Sequence, residues 1–253
     1  MTTPSRAHSF NAAAAQYAAN RPSYPAALLD AVEEITGRPL AGARVADVGA
    51  GTGIATALLH ERGADVVAVE PGDAMAAECR RTIPDVPVIR GDGNALPLAD
   101  ASRDLITYAQ SWHWTDTGRS VPEALRVLRP GGALALWWNT AAAEKPWVLA
   151  QNERIARHCG VGLPYGKRPD DGDAARLAGI ADLDVTRRLL RWSRTVPLDV
   201  HLANITSHSA FLVLGKAGTR AFLAEERGHL GETFPDGMVQ ETYVVDLLVG
   251  TRP

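Results

Sequence analysis

The sequence predicts an α/β fold in which a doubly wound, mostly parallel sheet carries helices on both faces. Three observations support this prediction. Short runs rich in β-branched residues alternate with helical stretches between about residues 43 and 140. Three glycines at alternate positions, Gly49, Gly51 and Gly53, follow the first of these runs in the stretch VADVGAGTG. The chain has 253 residues, 46% of them hydrophobic, which is enough to bury the core of such a sheet.

The first part of the sheet is predicted from the change between strand and helix patterns. Gly63 ends the first helix, and Asp73 is suited to cap the second. Because strands and helices alternate, right-handed crossovers should join parallel strands. The predicted elements are strands at 43–49, 65–70 and 86–92 and helices at 54–63 and 73–83.

The centre of the sheet follows the same rhythm, and the pattern breaks after Thr140. The stretch RPGG at 129–132 should stop a helix and lead into the next strand. We predict strands at 103–110 and 133–139, a helix at 120–128, one or two strands within 183–198, helices near 200–214 and 219–230, and a closing strand at 238–252.

Charge and composition limit the classes of function. The net charge of −3 gives no global positive field for nucleic acid or an anionic membrane. The chain has two cysteines, Cys79 and Cys159, and it lacks the basic start and apolar stretch of a signal peptide. No window approaches the roughly 18 uninterrupted apolar residues of a membrane span. We therefore expect a cytoplasmic protein with no membrane or nucleic-acid partner, either a monomer or a homodimer. No group of His, Cys and carboxylate residues has metal-site spacing.

The glycine-rich turn predicts a ligand beside the backbone, at the carboxyl end of the first strand. A phosphate-binding P-loop is excluded because no Lys precedes Lys145. A dinucleotide fingerprint is disfavoured because Ile54 stands at its last glycine position and Asp47 would repel a pyrophosphate. An acidic residue at this place suits a cationic ligand. S-adenosylmethionine carries a sulfonium and an ammonium and no phosphate.

Several sequence features in order resemble class I S-adenosylmethionine-dependent methyltransferases. Asp47-x-Gly49-x-Gly51-x-Gly53 resembles the first motif of that family. Glu70 lies 23 residues after Asp47, where the family's carboxylate accepts from the ribose hydroxyls. The stretch RGDGNALPL at 90–98 is similar to the third motif, and EALRVLRPGGALAL at 123–136 to the helix, turn and strand that follow. The resemblance covers about residues 40–140.

The resemblance implies a Rossmann-like fold whose seven-stranded sheet is mostly parallel with an antiparallel last strand, together with a helical cap. We expect a single domain over 1–253. Its cofactor-binding core is expected at about 37–140, with the sheet completed by about 182–198 and 236–253, and the cap at about 1–36 and 141–235. The cofactor implied is S-adenosyl-L-methionine. By the same resemblance its contacts are expected at Tyr17, Arg21, Asp47, Gly49, Ala50, Gly51, Gly53, Glu70, Pro71, Met75, Gly91, Asp92, Gly93, Asn94 and Gln110.

The N-terminal stretch SFNAAAAQYAANRPSYP at 9–25 has Phe10, Ala14, Tyr17 and Arg21 on one helical stripe. Its pattern is similar to the N-terminal helix of small-molecule methyltransferases, including relatives of trans-aconitate methyltransferase. That likeness implies that Tyr17 approaches the methionine carboxylate, helped by Arg21. The alternative is that Phe10 and Tyr17 only pack this helix onto the sheet.

The acceptor is expected beyond strand four, where Trp112, His113 and Trp114 follow one another. His113 is the candidate general base for a hydroxyl or amine acceptor. Alternatively, it packs against the cofactor or holds the loop by a hydrogen bond. The residues expected to line an acceptor pocket are Trp112, Trp114, Trp138, Trp147 and Tyr165. Trp137 and Trp138 face opposite ways on a strand, so at least one of them should belong to the core.

The expected function is methyl transfer to a small molecule of specialised metabolism by in-line displacement. A carboxylate acceptor needs no base and would favour cap arginines such as Arg21, Arg154 or Arg168. Enzymes that methylate exocyclic amines of nucleic acids resemble one another in an (Asp/Asn)-Pro-Pro-(Tyr/Phe) stretch, whereas residues 110–113 read QSWH. Two alternatives stay open. One is a protein that binds S-adenosylmethionine without methylating, and the less favoured one is an NAD-dependent oxidoreductase.

Overall fold

The fold is described from a computed structural model over residues 20–142, 144–161, 174–175 and 178–253. One seven-stranded sheet runs through it in the order β3-β2-β1-β4-β5-β7-β6. The strands are β1 Arg44–Val48, β2 Asp65–Glu70, β3 Val88–Arg90, β4 Arg103–Ala109, β5 Leu128–Ala141, β6 Asp184–Pro197 and β7 Met238–Thr251. The helices are α1 Ala26–Thr36, α2 Ile54–Glu61, α3 Asp73–Thr82, α4 Thr117–Val127, α5 Pro146–Cys159, α6 Leu198–Thr206 and α7 Ser209–Thr233.

Strands β1 to β5 are parallel, and β7 runs antiparallel between β5 and β6. This arrangement confirms the predicted fold class, including the antiparallel last strand. The chain goes from β1 outward to β3 and then returns to β4 on the other side of β1. The strand order therefore reverses between β1 and β4, and ligands of open α/β sheets bind at such a point, beyond the carboxyl ends of the strands.

The sheet has a buried apolar layer on each face. One layer includes Val45 of β1, Leu59 of α2 and Trp137 of β5. The other includes Ile106 of β4 and Leu136 of β5, packed beneath α4. Neighbouring strand residues alternate between the layers because the side-chain period of a strand is two. The expectation that Trp137 and Trp138 divide between faces is confirmed, since Trp137 is 1% exposed and Trp138 is half-buried against the second layer.

Several boundaries differ from the sequence prediction. Strand β5 begins at Leu128 and includes the RPGG stretch, because a bulge opposite Arg103 and Leu105 absorbs the extra residues. The stretch 183–198 holds one long strand. The helix expected near 200–214 is divided after Thr206, and α7 is kinked at Gly215, whose φ of 79° and ψ of 171° are not helical. No helix in the described ranges has the length and apolarity needed to traverse a bilayer.

Candidate functional site

The glycine turn between β1 and α2 depends on backbone angles that favour glycine. Gly49, Gly51 and Gly53 have φ values of 67°, 60° and 93°. Side-chain-bearing residues rarely adopt this left-handed region. The turn is fixed to the next strand because the backbone N–H of Gly49 donates to the carbonyl of Val69 at 2.8 Å. The close glycine spacing therefore builds a tight turn at the carboxyl edge of the sheet.

The three glycines differ in what a side chain would meet. A Cβ on Gly49 would lie 2.5 Å from the Cβ of Ser111, and a Cβ on Gly53 would lie 2.8 Å from the Sγ of Cys79. At these two positions the protein itself fills the space. A Cβ on Gly51 would meet no protein atom within 4 Å. Gly51 is therefore the position at which the turn presents bare backbone to open space, and a ligand can approach it there.

Asp47 does not face that opening. Its side chain has no exposed surface, and its two oxygens accept hydrogen bonds from the hydroxyls of Thr56 at 2.6 Å and Thr107 at 2.9 Å. Burial raises the pKa of Asp47, while the two threonine hydrogen bonds act in the opposite direction. Because its side chain is enclosed, Asp47 has no surface for the expected direct contact with a cationic ligand. Asp47 instead ties β1 to α2 and β4 beneath the glycine turn.

Glu70 ends β2 beside the glycine turn and is 7% exposed. One carboxylate oxygen accepts from the backbone N–H of Gly51 at 2.8 Å and the other from that of Gly72 at 2.7 Å. Burial raises its pKa, and these two N–H donors lower it. A carboxylate offers about four acceptor positions, so each oxygen keeps one for a ligand. The structure thus brings Glu70 and the open glycine together, as the resemblance implies.

The loop after β3 holds three more residues that were expected to contact the cofactor, Asp92, Gly93 and Asn94. The side chain of Asp92 is exposed, and one of its oxygens accepts from the backbone N–H of Asn94 at 2.6 Å. The side-chain oxygen of Asn94 accepts from the backbone N–H of Asp116 at 2.8 Å, which fixes the loop against the start of α4. A Cβ on Gly93 would lie 2.8 Å from the ring of Tyr108. Packing therefore explains this glycine, and Asp92 is available to a ligand.

The other core residues that were expected to contact the cofactor differ in their burial and packing. Gly91 is held against Pro97, and its Cβ would lie 2.8 Å from that ring. Met75 is 5% exposed and Ala50 is 8% exposed. Pro71 is half-buried at the end of β2, and its carbonyl accepts from Arg90. Among the expected cofactor residues of the core, Asp92 is exposed and Gly51 borders open space.

Gln110, directly after β4, has an unusual backbone. Its φ of 60° is rare for a residue with a side chain. Its side-chain nitrogen donates to the carbonyl of Asn139 at 3.0 Å, and its backbone N–H donates to the carbonyl of Trp137 at 2.9 Å. Strained positions of this kind cluster at ligand sites. The next residue, Ser111, donates to the carbonyl of Val48 at 2.6 Å, so β4 ends firmly against the glycine turn.

The three residues of the Trp-His-Trp turn, Trp112–Trp114, differ in burial: the first is buried, the second is exposed and the third is half-buried. Trp112 is 3% exposed, packs edge-on against Tyr108, and donates its indole N–H to the carbonyl of Ala178 at 2.8 Å. The expectation that Trp112 lines an acceptor pocket is therefore corrected, because burial leaves its ring no open face. Trp114 is half-buried beside the ring of His113, at 4.7 Å between centroids.

His113 is the one member of the turn that is exposed. Protein nevertheless surrounds it on its other sides, and this partial desolvation lowers the pKa of its imidazole. A lowered pKa keeps the imidazole neutral at pH 7, which is the form that accepts a proton. The neutral imidazole is the form that a general base needs, and the role of His113 as that base stays a prediction.

The structure describes some of the ligand-binding residues expected outside the central sheet and not others. Tyr17, Tyr165 and Arg168 lie outside the described residues. A guanidinium nitrogen of Arg21 lies 3.3 Å from the Nε2 of His208. Trp147 packs edge-on against His201 and Phe234, with centroids at 5.6 Å and 5.2 Å.

A buried polar network joins the cap helices to the sheet and was not anticipated from the sequence. Arg154 of α5 makes a two-point ion pair with Glu226 of α7, at 2.6 and 2.8 Å. Arg194 of β6 pairs with Glu241 of β7 at 2.5 Å. The pairing with Glu226 corrects the expectation that Arg154 receives an acceptor carboxylate.

His201 and Gln151 connect the two ion pairs. The nitrogen of Gln151 contacts Glu226 at 2.9 Å and the Nε2 of His201 at 3.1 Å, while the Nδ1 of His201 lies 2.6 Å from Glu241. Because the amide nitrogen can only donate, His201 accepts at Nε2 and carries its proton at Nδ1. The partners are 40 to 75 residues apart in sequence, so no local pattern could have revealed them.

Comparison with known proteins finds similarity to proteins named as methyltransferases. Residues 46–136 match the protein family described as a methyltransferase domain. The chain is 44% identical over 149 residues to an uncharacterized methyltransferase of Mycobacterium tuberculosis, and the match covers 59% of each protein. It is 40% identical over 108 residues to a demethylmenaquinone methyltransferase of Beutenbergia cavernae, covering 42% of this chain and 44% of that protein. The matches thus span less than two thirds of these relatives.

Solved structures share the fold over most of the chain. A provisionally assigned type II methyltransferase from Anaeromyxobacter dehalogenans has a TM-score of 0.64 and 25% identity, with 91% of this chain and 97% of that chain covered. A provisionally assigned methyltransferase of an antibiotic biosynthesis pathway from Anabaena variabilis has a TM-score of 0.58 and 19% identity, with 90% and 98% covered. The likeness to the second structure concerns the fold alone.

Proposed function

Because the chain carries a methyltransferase domain of the class I family, we propose that it transfers a methyl group from S-adenosylmethionine to a small-molecule acceptor. The favoured acceptor atom is an oxygen, with nitrogen as the second choice. The observation that carries the proposal is the juxtaposition of Gly51, open to space at the glycine turn, with the carboxylate of Glu70.

The residues present fit this cofactor. Glu70 has an acceptor position left on each oxygen and suits a pair of ribose hydroxyls. The exposed carboxylate of Asp92 suits the amino group of adenine. A side chain at position 51 would occupy the open space beside the turn. No residue of this set is a cation, which fits a ligand without phosphate.

When bound, S-adenosylmethionine supplies an electrophilic methyl group on a sulfonium. The chain's residues bind, orient and exclude water. Glu70 is held rigidly by two backbone donors, so little freedom is lost when a ligand binds to it. His113 accepts a proton at a ring nitrogen as a hydroxyl acceptor is methylated. The cap helices α5, α6 and α7, joined to the sheet by the buried network, limit the access of water.

The charges of the cap favour an uncharged acceptor over a carboxylate. Arg154 and Arg194 are both neutralised by glutamates. A carboxylate acceptor placed against them would compete with a partner that is already buried. A hydroxyl acceptor needs a base instead, and His113 is suitably placed and neutral for that role.

Two further observations support a small organic acceptor. The residues after β4, Gln110 to His113, differ from the (Asp/Asn)-Pro-Pro-(Tyr/Phe) stretch that nucleic-acid amine methyltransferases have in common, and the net charge is −3. Some relatives of partial coverage are named as demethylmenaquinone methyltransferases, so methyl transfer to a small organic molecule occurs among the related proteins.

The test has two stages. Calorimetry with S-adenosylmethionine, S-adenosylhomocysteine and NAD should show binding of the first two and none of NAD. Incubation with methyl-labelled S-adenosylmethionine and a panel of phenols, alcohols, carboxylic acids and amines should then give a labelled product. Binding of NAD alone would contradict the proposal. Binding of S-adenosylmethionine with no product across the panel would indicate a protein that uses this cofactor without methylating.

A further inference from the structure

Two asparagines near the carboxyl edge of the sheet, the half-buried Asn139 and the buried Asn204, each have one buried polar atom without a partner. On Asn139, at the end of β5, the atom is the side-chain nitrogen Nδ2, and on Asn204, in α6, it is the side-chain oxygen Oδ1. Asn204 is 5% exposed. Buried polar groups are almost always hydrogen-bonded, because an unpaired one loses its hydrogen bonds to water without replacement. Two such atoms in one region therefore need an explanation.

The orientation of both amides is fixed by their other partners. The Oδ1 of Asn139 accepts from the indole N–H of Trp192 at 3.0 Å, and an indole nitrogen can only donate. The Nδ2 of Asn204 lies 3.3 Å from a carboxylate oxygen of Glu241 and 3.0 Å from the hydroxyl of Tyr243. Since a carboxylate accepts, the nitrogen of Asn204 must face it. Turning either amide around would break these hydrogen bonds, so one free donor and one free acceptor are built into the fold.

Each of the two asparagines hydrogen-bonds one ring of an aromatic pair. Trp192 of β6 and Tyr243 of β7 are direct cross-strand partners. Their rings stack with centroids 5.1 Å apart and an interplanar angle of 25°. Asn139 binds the indole of this pair and Asn204 binds the phenol hydroxyl. Hydrogen bonds and ring stacking therefore connect Asn139, Trp192, Tyr243 and Asn204, and we call these four residues the asparagine-aromatic cluster.

The cluster is connected to the candidate cofactor site. The backbone carbonyl of Asn139 accepts from the side chain of Gln110, the strained residue after β4. Strand β5 lies two places from β1 in the sheet. Adjacent strands are about 4.8 Å apart, so Asn139 is on the order of 10 Å across the sheet from the glycine turn.

We propose that the asparagine-aromatic cluster binds the methyl acceptor, and that the acceptor is an uncharged planar molecule with a hydrogen-bond acceptor for Asn139 and a donor for Asn204. This inference rests on the proposed function. A hydroxylated aromatic ring with a carbonyl group has the required features. An anionic acceptor is disfavoured because the carboxylate of Glu241 lies beside Asn204, and Arg194 is already engaged by Glu241.

The test uses the full chain saturated with S-adenosylhomocysteine and two probes, 4-hydroxybenzamide and 4-hydroxybenzoate, titrated by calorimetry and ligand-observed NMR. The neutral amide should bind, and the anionic benzoate should bind at least tenfold more weakly. The variant N204L should lose about tenfold in affinity for the amide, as expected for one buried hydrogen bond. Its affinity for S-adenosylhomocysteine should stay within about twofold of the parent.

Asn152 provides the matched control. It is a buried asparagine of α5, 7% exposed, whose Nδ2 also lacks a partner, and it is not part of the cluster. N152L should bind both probes like the parent. If N204L does not fold, W192F removes the indole N–H that orients Asn139 while keeping a ring, and it should weaken binding of the amide.

The outcomes separate the two claims. If S-adenosylhomocysteine does not bind the parent protein, the proposed function fails. If it binds, but neither probe binds, or N152L loses as much affinity as N204L, the acceptor assignment is overturned and the proposed function stands. Binding of the benzoate more tightly than the amide would also overturn the assignment.

Discussion

The burial of Asp47 leads to a prediction that separates a structural role from a direct electrostatic one. If the carboxylate acts by holding the hydroxyls of Thr56 and Thr107, D47N should keep most of its function, because an amide can accept from one hydroxyl and donate to the other. D47A removes the partner of the Thr56 hydroxyl and leaves the Thr107 hydroxyl with a single long contact, 3.5 Å, to the carbonyl of Ala46. If instead the negative charge attracts the cationic cofactor, both variants should lose binding alike.

The magnitudes follow from the contacts. Each orphaned buried hydroxyl costs about 1–3 kcal/mol, and relief of the buried carboxylate offsets part of this, so D47A should lose about 2–4 kcal/mol of stability. For a chain of this size about 1 kcal/mol corresponds to roughly 2–4 °C, which places the fall in melting temperature on the order of 10 °C. D47N should stay within about 1 kcal/mol of the parent.

The assays are thermal unfolding and calorimetry with S-adenosylmethionine and S-adenosylhomocysteine. D47N should bind both within about fivefold of the parent, the ratio that corresponds to about 1 kcal/mol. The reasoning is refuted if D47N keeps its melting temperature but loses S-adenosylmethionine binding as completely as D47A. A loss restricted to S-adenosylmethionine would identify the sulfonium as the group that the charge attracts.

The pH dependence of stability offers an independent check on Asp47. Burial raises its pKa above the ordinary value of 3.8, so the folded protein binds this proton at a higher pH than the unfolded chain does. The free energy of unfolding therefore falls as the pH rises from 3.8 to the raised pKa. D47N removes this contribution, and its stability should decline less over that range than the parent's.

Three further predictions concern the same crevice. G51A should cost only about 1–2 kcal/mol of stability, from its left-handed backbone, but should weaken S-adenosylhomocysteine binding at least tenfold. G53A, whose Cβ would lie 2.8 Å from Cys79, should destabilise the fold more in thermal unfolding; the reverse ranking of stabilities would contradict the geometry. E70Q should weaken cofactor binding about tenfold or more, since an amide nitrogen must then face a backbone N–H. Because burial raises the pKa of Glu70, the parent's calorimetric affinity should begin to fall on acidification above the ordinary glutamate range. An unchanged affinity in E70Q would exclude this carboxylate from the site. H113A should keep S-adenosylhomocysteine affinity and reduce turnover of a hydroxyl acceptor by about a hundredfold. The lowered pKa of His113 should also extend the parent's activity to more acidic pH, and an unaltered rate in H113A would remove it as the base.

The sheet and its glycine turn could be predicted because their signals are local. Strand and helix periods alternate over residues 43–140, and Gly51 and Glu70 lie at the ends of strands that the pattern identifies. Parallel strands bring their carboxyl ends to one edge, so the two residues had to meet. Trp137 and Trp138 were separable for the same reason, since a strand alternates its faces.

The direction of Asp47 and the role of Trp112 were not predictable in the same way. Asp47 lies between Ala46 and Val48 in a strand that the structure buries on both faces, and no local pattern showed that the acidic side chain would be enclosed with them. The sequence shows which residues follow β4 but not which of them turn inward. Burial selected Trp112 for the core and left His113 exposed.

The cap depends on contacts between residues that are distant in sequence. The pairs Arg154–Glu226 and Arg194–Glu241 bridge 72 and 47 residues. The unpaired atoms of Asn139 and Asn204 became visible only once the other partners of each amide were known. Long-range polar pairing of this kind has no periodic signature, so the acceptor side could not be derived from the sequence.

The most direct test of the account is a crystal structure of the protein with S-adenosylmethionine. The ribose should place its two hydroxyls on the carboxylate of Glu70, with the nucleoside over the bare backbone at Gly51. A nucleoside found elsewhere, or one that leaves Glu70 without a ribose contact, would contradict the assignment of this crevice as the cofactor site.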